Sequence, residues 1–258
     1  MSKQQTVNPN SALYWYPKLE AVAGDLPVSV PESTFVEYDF LDSFALLDGE
    51  MPDTLPWGEF IEAVEAIGTP AFLRTDQKSV KHAGPSAYKA TDPGEDVPTI
   101  VAVLTDFHVK SNRHPAALMV REFVDINGQF RAFDGLPIGS ELRVFARPSI
   151  AECDHFYWPA EAIGGGRGQP TTMDGDTELP ESAWRTRLTN ARSSAFADVE
   201  MLRSAATETA TALNDSEQVP DDETWSVDFA RDTDGEWWLL DVALAADSWH
   251  PDHDGGDE

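Results

Sequence analysis

The stretch WSVDFARDTDGEWWLLDVALAADSWH, Trp225 to His250, decides how this chain is read. Val227, Phe229 and Ala230 precede a turn, and Trp237 to Val242 follow it. Asp234-Gly235 between them is a strong two-residue turn signal. With that loop, Thr233 faces Glu236 and Asp228 sits directly opposite Asp241. A four-residue loop, Asp232 to Gly235, makes the two aspartates diagonal neighbours on one face. A bulged three-residue loop breaks this parity. Two like charges so placed repel, and removing them from water costs more. A divalent cation removes both penalties. The alternative is two solvated carboxylates on an outer face.

The 258 residues suffice for a sizeable core, as one large domain or as subdomains. Acidic residues number 46 against 18 basic ones, a formal net charge of -28. Of the basic residues 12 are arginine and 6 are lysine. Acid spread along the chain with scarce lysine fits a protein solvated in high salt, where a Debye length of about 3 Å screens self-repulsion. A halophilic host, or a virus of one, is the expectation. The alternative is an acidic protein that binds a basic partner. No basic patch exists to displace counterions, so a nucleic-acid partner is not expected. Cys153 stands alone, which excludes an internal disulfide and a cysteine-rich zinc site. No signal-peptide core and no run of 18 apolar residues is present, so the expectation is a cytoplasmic protein without a membrane partner.

Outward from the hairpin, the pattern alternates between helix and strand. STFVEYDF (33–40) is strand-like, and the segment before it is short and mixed. In LPWGEFIEAVEAIG (55–68), Phe60, Ile61, Val64 and Ile67 make a helical stripe that Gly68 stops. TPAFLRTD (69–76) predicts a short strand entering a polar loop. VPTIVAVLTDFHV (97–109) predicts an amphipathic helix and ALMVREFVDI (117–126) a strand. QFRAFDG, SELRVFARPSI and CDHFYW (153–158) predict further strands, and 162–180 a long loop. From Pro180 to Leu213 apolar residues step by three and four, which predicts one long helix. Helices mixed with antiparallel strands give an α+β class.

Several clusters carry chemistry. FLRTDQKSVKH places Arg74, Lys78, Lys81 and His82 within nine residues, informative in a chain with so few cations. Fixed cations at a strand end suit phosphate oxygens, although a surface loop with chance basic residues gives the same pattern. Glu122 stands in a strand otherwise suited to burial. Glu141 and Arg143, at i and i+2, share one strand face. They form either a structural ion pair or a site where the carboxylate orients the guanidinium toward an anion. The GGGRG run lacks the features of a phosphate-binding loop and reads as flexible. His250-x-x-His253, with Asp252 and Asp254, has metal-ligand residue types but lies in a polar chain end.

Taken in order, FLRTDQKSVKH, VREFV, FRAFDGLPIGSELRVF, HFYWP and VDFARDTDGEWWLLDVALAADSWH resemble an ATP-grasp protein. The resemblance runs from about Pro70 to His250. It points to the clade of small ATP-grasp proteins named for an arginine-to-lysine exchange, and it touches the cell-division-cycle 123 family of assembly proteins. It implies an ATP-grasp fold, two α+β subdomains clasping ATP with antiparallel sheets. On that resemblance residues 1–12 are a flexible N-terminus, 13–68 an N-terminal subdomain and 69–124 the nucleotide-binding subdomain. Residues 125–249 then form the metal and catalytic subdomain, and 250–258 an acidic tail. The family pattern implies that Arg74 and Lys81, with Lys78 and His82 nearby, contact ATP phosphates. Glu122, Phe123 and Val124 would bind adenine, largely through backbone groups. Lys81, Glu141 and Arg143 would line the reaction centre, and Asp228 and Asp241 would hold Mg²⁺. Many such proteins carry asparagine two residues after the last carboxylate. Here that position is Ala243, leaving Asp247 or water to replace the ligand.

The expected function is an ATP- and Mg²⁺-dependent ligase of the carboxylate–amine type. It would act through an acyl phosphate on an amino acid, peptide or protein acceptor. The alternative is an ATP-binding assembly factor without turnover.

Overall fold

A computed structural model describes residues 8–165, 168–215 and 219–250. The acidic tail beyond His250, the second histidine of its metal candidate, Arg167 of the glycine run and the first seven residues lie outside these.

Two antiparallel sheets organise the chain. The first has the order β1 (Ser33–Glu37), β4 (Ala117–Glu122), β2 (Ala71–Thr75), β3 (Lys89–Ala90). Helices α2 (Trp57–Ile67) and α3 (Pro93–Lys110) belong to its core. Phe60 and Val64 of α2 and Ile100 and Leu104 of α3 pack there with Leu73 and Val120. The sequence sets both helix ends. Asp92 caps α3 by accepting from the Gly94 and Glu95 N–H groups. Gly68, at φ 98°, lets the chain leave α2 in a conformation disfavoured for other residues.

The second sheet has the order β10 (Trp237–Leu244), β9 (Trp225–Arg231), β7 (Glu141–Arg147), β8 (Ile150–Phe156). Strand alternation turns Leu142, Val144, Val227 and Phe229 into the core. Glu141, Arg143 and Asp228 face the other way, toward the first sheet. Helices α5 (Glu181–Ala197) and α6 (Val199–Asn214) cover the core side. A ribbon of β5 (Gly128–Ala132) and β6 (Leu136–Gly139) flanks them, and α4 (Ala160–Gly164) follows β8. None of the described helices is long and apolar enough to cross a membrane.

Four expectations are corrected. The single helix from Pro180 to Leu213 is two helices that break at Asp198. Asp198 Oδ2 accepts from the Trp237 indole at 3.0 Å, so its side chain is spent on the hairpin. The apolar stripe continues because Leu188 and Ala195 before the break, and Leu202 and Ala206 after it, join the same core. Second, the segment before the first strand, read as short and mixed, forms helix α1 (Ala12–Val22), with Tyr14, Trp15, Tyr16 and Leu19 buried. Pro17 inside that helix masks it in the sequence. Third, the strand begun at Ala117 stops at Glu122, and Phe123 to Asp125 cross to the second sheet as a connecting segment.

The fourth correction concerns the hairpin. Its loop is neither two nor four residues. Asp232 N–H donates to Glu236 O, leaving Thr233, Asp234 and Gly235 as a three-residue loop with Gly235 at φ 91°. Trp237 therefore pairs with Arg231 and Leu239 with Phe229, a register in which Asp228 would face Leu240. A bulge at Leu240 takes up the extra residue, and Asp241 pairs with Asp228 after all.

Candidate functional site

The site forms where the two sheets meet. On the first sheet, Arg74 pairs with Met119 and Phe72 with Arg121, so these four side chains share the face toward the second sheet. On the second, Arg143 is the cross-strand neighbour of Asp228, and Asp228 that of Asp241. Two arginine–aspartate pairs result. Arg143 grips Asp228 bidentately, Nε to Oδ1 at 2.6 Å and Nη2 to Oδ2 at 2.7 Å. Arg74 Nη1 crosses from the first sheet to Asp241 Oδ1 at 2.8 Å. The two carboxylates are thus held facing each other, each with a guanidinium beside it.

Lys81 and Glu141 complete the cluster. Lys81 Nζ lies 3.6 Å from Glu141 Oε2 and 4.5 Å from the Tyr157 ring centroid. Glu141, 5% exposed, also accepts from the Trp158 indole at 2.6 Å. Burial pushes the Glu141 carboxyl up, and Lys81 and Trp158 oppose it. For Lys81 burial works downward, but Tyr157, Glu141 and the two aspartates outweigh it and hold the ammonium charged. Burial would also raise Asp241, yet Arg74 and Arg121 hold its carboxyl below the usual range. Glu141 and Arg143 share a strand face as expected but do not pair with each other. Lys81 takes the first and Asp228 the second.

Two cavities open on opposite sides of this cluster. One is a cleft with apolar walls from Phe72, Tyr88, Phe123, Val124, Ile126 and Leu136. Among the described residues Phe123 and Val124 make no hydrogen bond to another main-chain group, so the connecting segment presents its amide groups to the cleft. The other, here the polar cavity, carries the basic side chains Lys78, His82, Arg113 and Arg143, with Trp249, in its lining. Arg74, Lys81, Asp228 and Asp241 border both. Of the four clustered cations, then, Lys78 and His82 border only the polar side. Asp247 also lines that side, but Asn10 Nδ2 donates to its Oδ2 at 2.6 Å. Ala243 pairs with Ser226 and brings no donor.

Sequence reading missed Arg121. It is 4% exposed, whereas its neighbour Glu122, singled out as the buried charge, is exposed. Arg121 Nη1 donates to the Leu240 carbonyl, which the bulge removes from the ladder, and Nε donates to Ser33 Oγ at 3.2 Å. Its Nη2 is buried without a partner among the described residues. Burial, then Arg74, lowers its guanidinium to about 10. Strand alternation holds the clue: Arg121 shares its face with Met119 and the cleft, and Glu122 does not.

No family model matches the chain, and no curated protein matches it in sequence. Solved structures do. One is an N5-carboxyaminoimidazole synthase from Aspergillus clavatus in complex with ADP and 5-aminoimidazole ribonucleotide: 10% identity, 92% of this chain, 44% of that one, TM-score 0.44. Another is the ATP-grasp ligase PsnB complexed with precursor peptide PsnA2 and AMPPNP: 12% identity, 95% and 54% coverage, TM-score 0.40. A third is D-cycloserine synthetase DcsG: 13% identity, 92% and 62% coverage, TM-score 0.43. The chain spans about half the length of the first two.

Proposed function

We propose that this chain is an ATP-grasp protein, an ATP- and Mg²⁺-dependent ligase that joins a carboxylate to an amine. One observation carries the reading. Asp228 and Asp241 face each other, flanked by Arg74, Lys81 and Arg143, between an apolar cleft and a cation-lined cavity. The apolar cleft suits a purine, with the amides of Phe123 and Val124 available to its edge. The cations between the cavities suit a phosphate chain.

The donor set fits Mg²⁺, which is commonly bound by one or two carboxylates plus substrate phosphates and keeps several waters. Among the described residues no group of three or more His, Cys, Asp or Glu side chains converges on one point, and Asp228 and Asp241 are the two that would hold the ion. When bound between Asp228 and Asp241, Mg²⁺ would neutralise phosphate charge as the phosphoryl group moves.

The side chains do the rest by position. Lys81, held charged, grips phosphate oxygens. Arg74, released from Asp241, turns to the same phosphates. An acceptor carboxylate on the polar side takes the γ-phosphoryl group, giving an acyl phosphate and ADP. An amine then adds to the acyl carbon, phosphate leaves, and the amine nitrogen loses a proton. Arg143 stabilises the oxyanion of that adduct. No side chain serves as a covalent nucleophile.

Titration with ATP in molar KCl, with and without Mg²⁺, tests the site. Asp241→Asn should cost about tenfold or more in Mg²⁺-dependent affinity, the size of one charge-assisted contact. Unchanged affinity would end the metal assignment. Ala243 favours the second reading, an ATP-binding assembly factor, because it leaves the metal with fewer protein ligands. ADP release that depends on an added amino acid or peptide supports the ligase, and tight ATP binding without such release supports the factor. AMP with pyrophosphate would indicate a nucleotidyl ligase instead.

A further inference from the structure

The polar cavity holds a charge imbalance that the nucleotide does not explain. Its lining carboxylates are each already engaged: Asp228 by Arg143, Asp241 by Arg74, and Asp247 by Asn10. Lys78 and Arg113 line the same cavity on its first-sheet side, and neither borders the apolar cleft. Among the described residues neither side chain has an ion pair or a hydrogen bond. In a chain of net charge -28, two cations that line one cavity without an ion pair among the described residues make a local excess of positive charge.

The two cations also act on their surroundings. Partial burial, and then Arg113, lower the ammonium of the otherwise exposed Lys78, with Asp241 opposing. His108, buried behind them with Nε2 2.8 Å from Thr75 Oγ1, is lowered to about 4 by burial and then by Arg113, Arg74 and Lys78. Its imidazole therefore stays neutral and brings no further charge. Like charges crowded beside a cavity repel one another, and an anion between them relieves that repulsion.

We propose that the polar cavity takes an acceptor with two acidic groups. One lies at the reacting centre beside Arg143, and Lys78 and Arg113 hold the other. The assignment of the reacting end rests on the ligase reading, but the anion site itself does not. The class is a dicarboxylate, such as an acidic amino acid or a peptide ending in one. A planar guanidinium offers a fork to a carboxylate while the lysine contributes a point charge, so Arg113 carries the directional part.

The test is calorimetric, in molar KCl, on the full chain. Dicarboxylates of four to six carbons are titrated against the matching monocarboxylates, with and without AMPPNP and Mg²⁺. The expected result is a preference of about tenfold or more for at least one dicarboxylate, the size of a charge-assisted contact that survives salt. Arg113→Gln should remove most of that preference while AMPPNP affinity stays at the parent value. Adding Lys78→Gln should remove the remainder. Equal binding of mono- and dicarboxylates, or a preference that persists in the double variant, overturns the proposal. Failure of AMPPNP to bind overturns the ligase reading instead, and the nucleotide-free titrations still decide the anion site.

Discussion

The two arginine–aspartate pairs have the same chemistry but different supports. Arg143 and Asp228 are neighbours on adjacent strands of one sheet, so the ladder that builds the sheet also sets their distance. Arg74 and Asp241 belong to different sheets and meet through a single contact. The first pair is part of the scaffold, while the second reports how the two halves of the molecule sit against each other. A ligand that needs an open carboxylate and a free guanidinium can take both from the second pair without disturbing a strand. On the proposed reading, the cross-sheet pair is the point of exchange between the resting molecule and a phosphate-bearing ligand.

Breaking the in-sheet pair should have the largest effect. Asp228→Asn leaves Arg143 buried without its carboxylate and should cost about 3–5 kcal/mol. Urea unfolding in molar KCl measures it. Arg143→Met added to that variant should recover much of the loss, since an apolar replacement leaves no uncompensated charge. A loss under about 1 kcal/mol would put this pair on a par with an exposed one.

The cross-sheet pair should cost less. Asp241 is 37% exposed, so solvent screens the contact, and Asp241→Asn should lose about 1–2 kcal/mol. Amide exchange should rise at the connecting segment Phe123–Asp125 more than within β9. Equal rises in both places would mean that the pair does not join the halves.

The smallest effect concerns pH and separates Asp241 from Glu141. The Asp241 carboxyl is held below its ordinary 3.8. Its contribution is therefore complete above that value and is lost as pH falls through the folded one. Glu141 is raised above its ordinary 4.5, so its contribution is present below that value and is lost as pH rises through the folded one. Acid unfolding of Asp241→Asn should show a shallower limb below about pH 4 than the parent. Glu141→Gln should change the slope in the opposite sense at higher pH. Identical limbs in all three proteins would refute both assignments.

Part of the site was legible from strand alternation, which set Glu141 and Arg143 on one face by i, i+2 spacing. Asp228 and Asp241 were brought together in the sequence by loop lengths the hairpin does not have, and they meet in the fold because the bulge at Leu240 restores the register. What stayed hidden depended on contacts distant in the chain. Arg121 is stabilised by the Leu240 carbonyl, 119 residues away, and nothing local distinguishes it from Glu122. The break at Asp198 depends on the Trp237 indole, which donates to the Asp198 side chain from 39 residues away. Helix α1 carries a proline and owes its burial to packing, Tyr14 stacking on Trp225 with centroids 6.2 Å apart. Arg113 drew no notice because a lone arginine after a helix has no pattern. That it has no ion pair among the described residues is visible only in three dimensions.

The bulge at Leu240 and the three-residue loop behave like an insertion and a deletion that restore a reading frame. Each alone would turn Asp241 away from Asp228, and together they cancel. A hairpin shortened to a two-residue Asp-Gly turn would need no bulge to bring the aspartates face to face. The Leu240 carbonyl would then return to the ladder, and Arg121 would lose its acceptor. Chain-length variation in this hairpin is therefore expected in matched steps at 233–235 and at 240, with the residue at 121 changing in company.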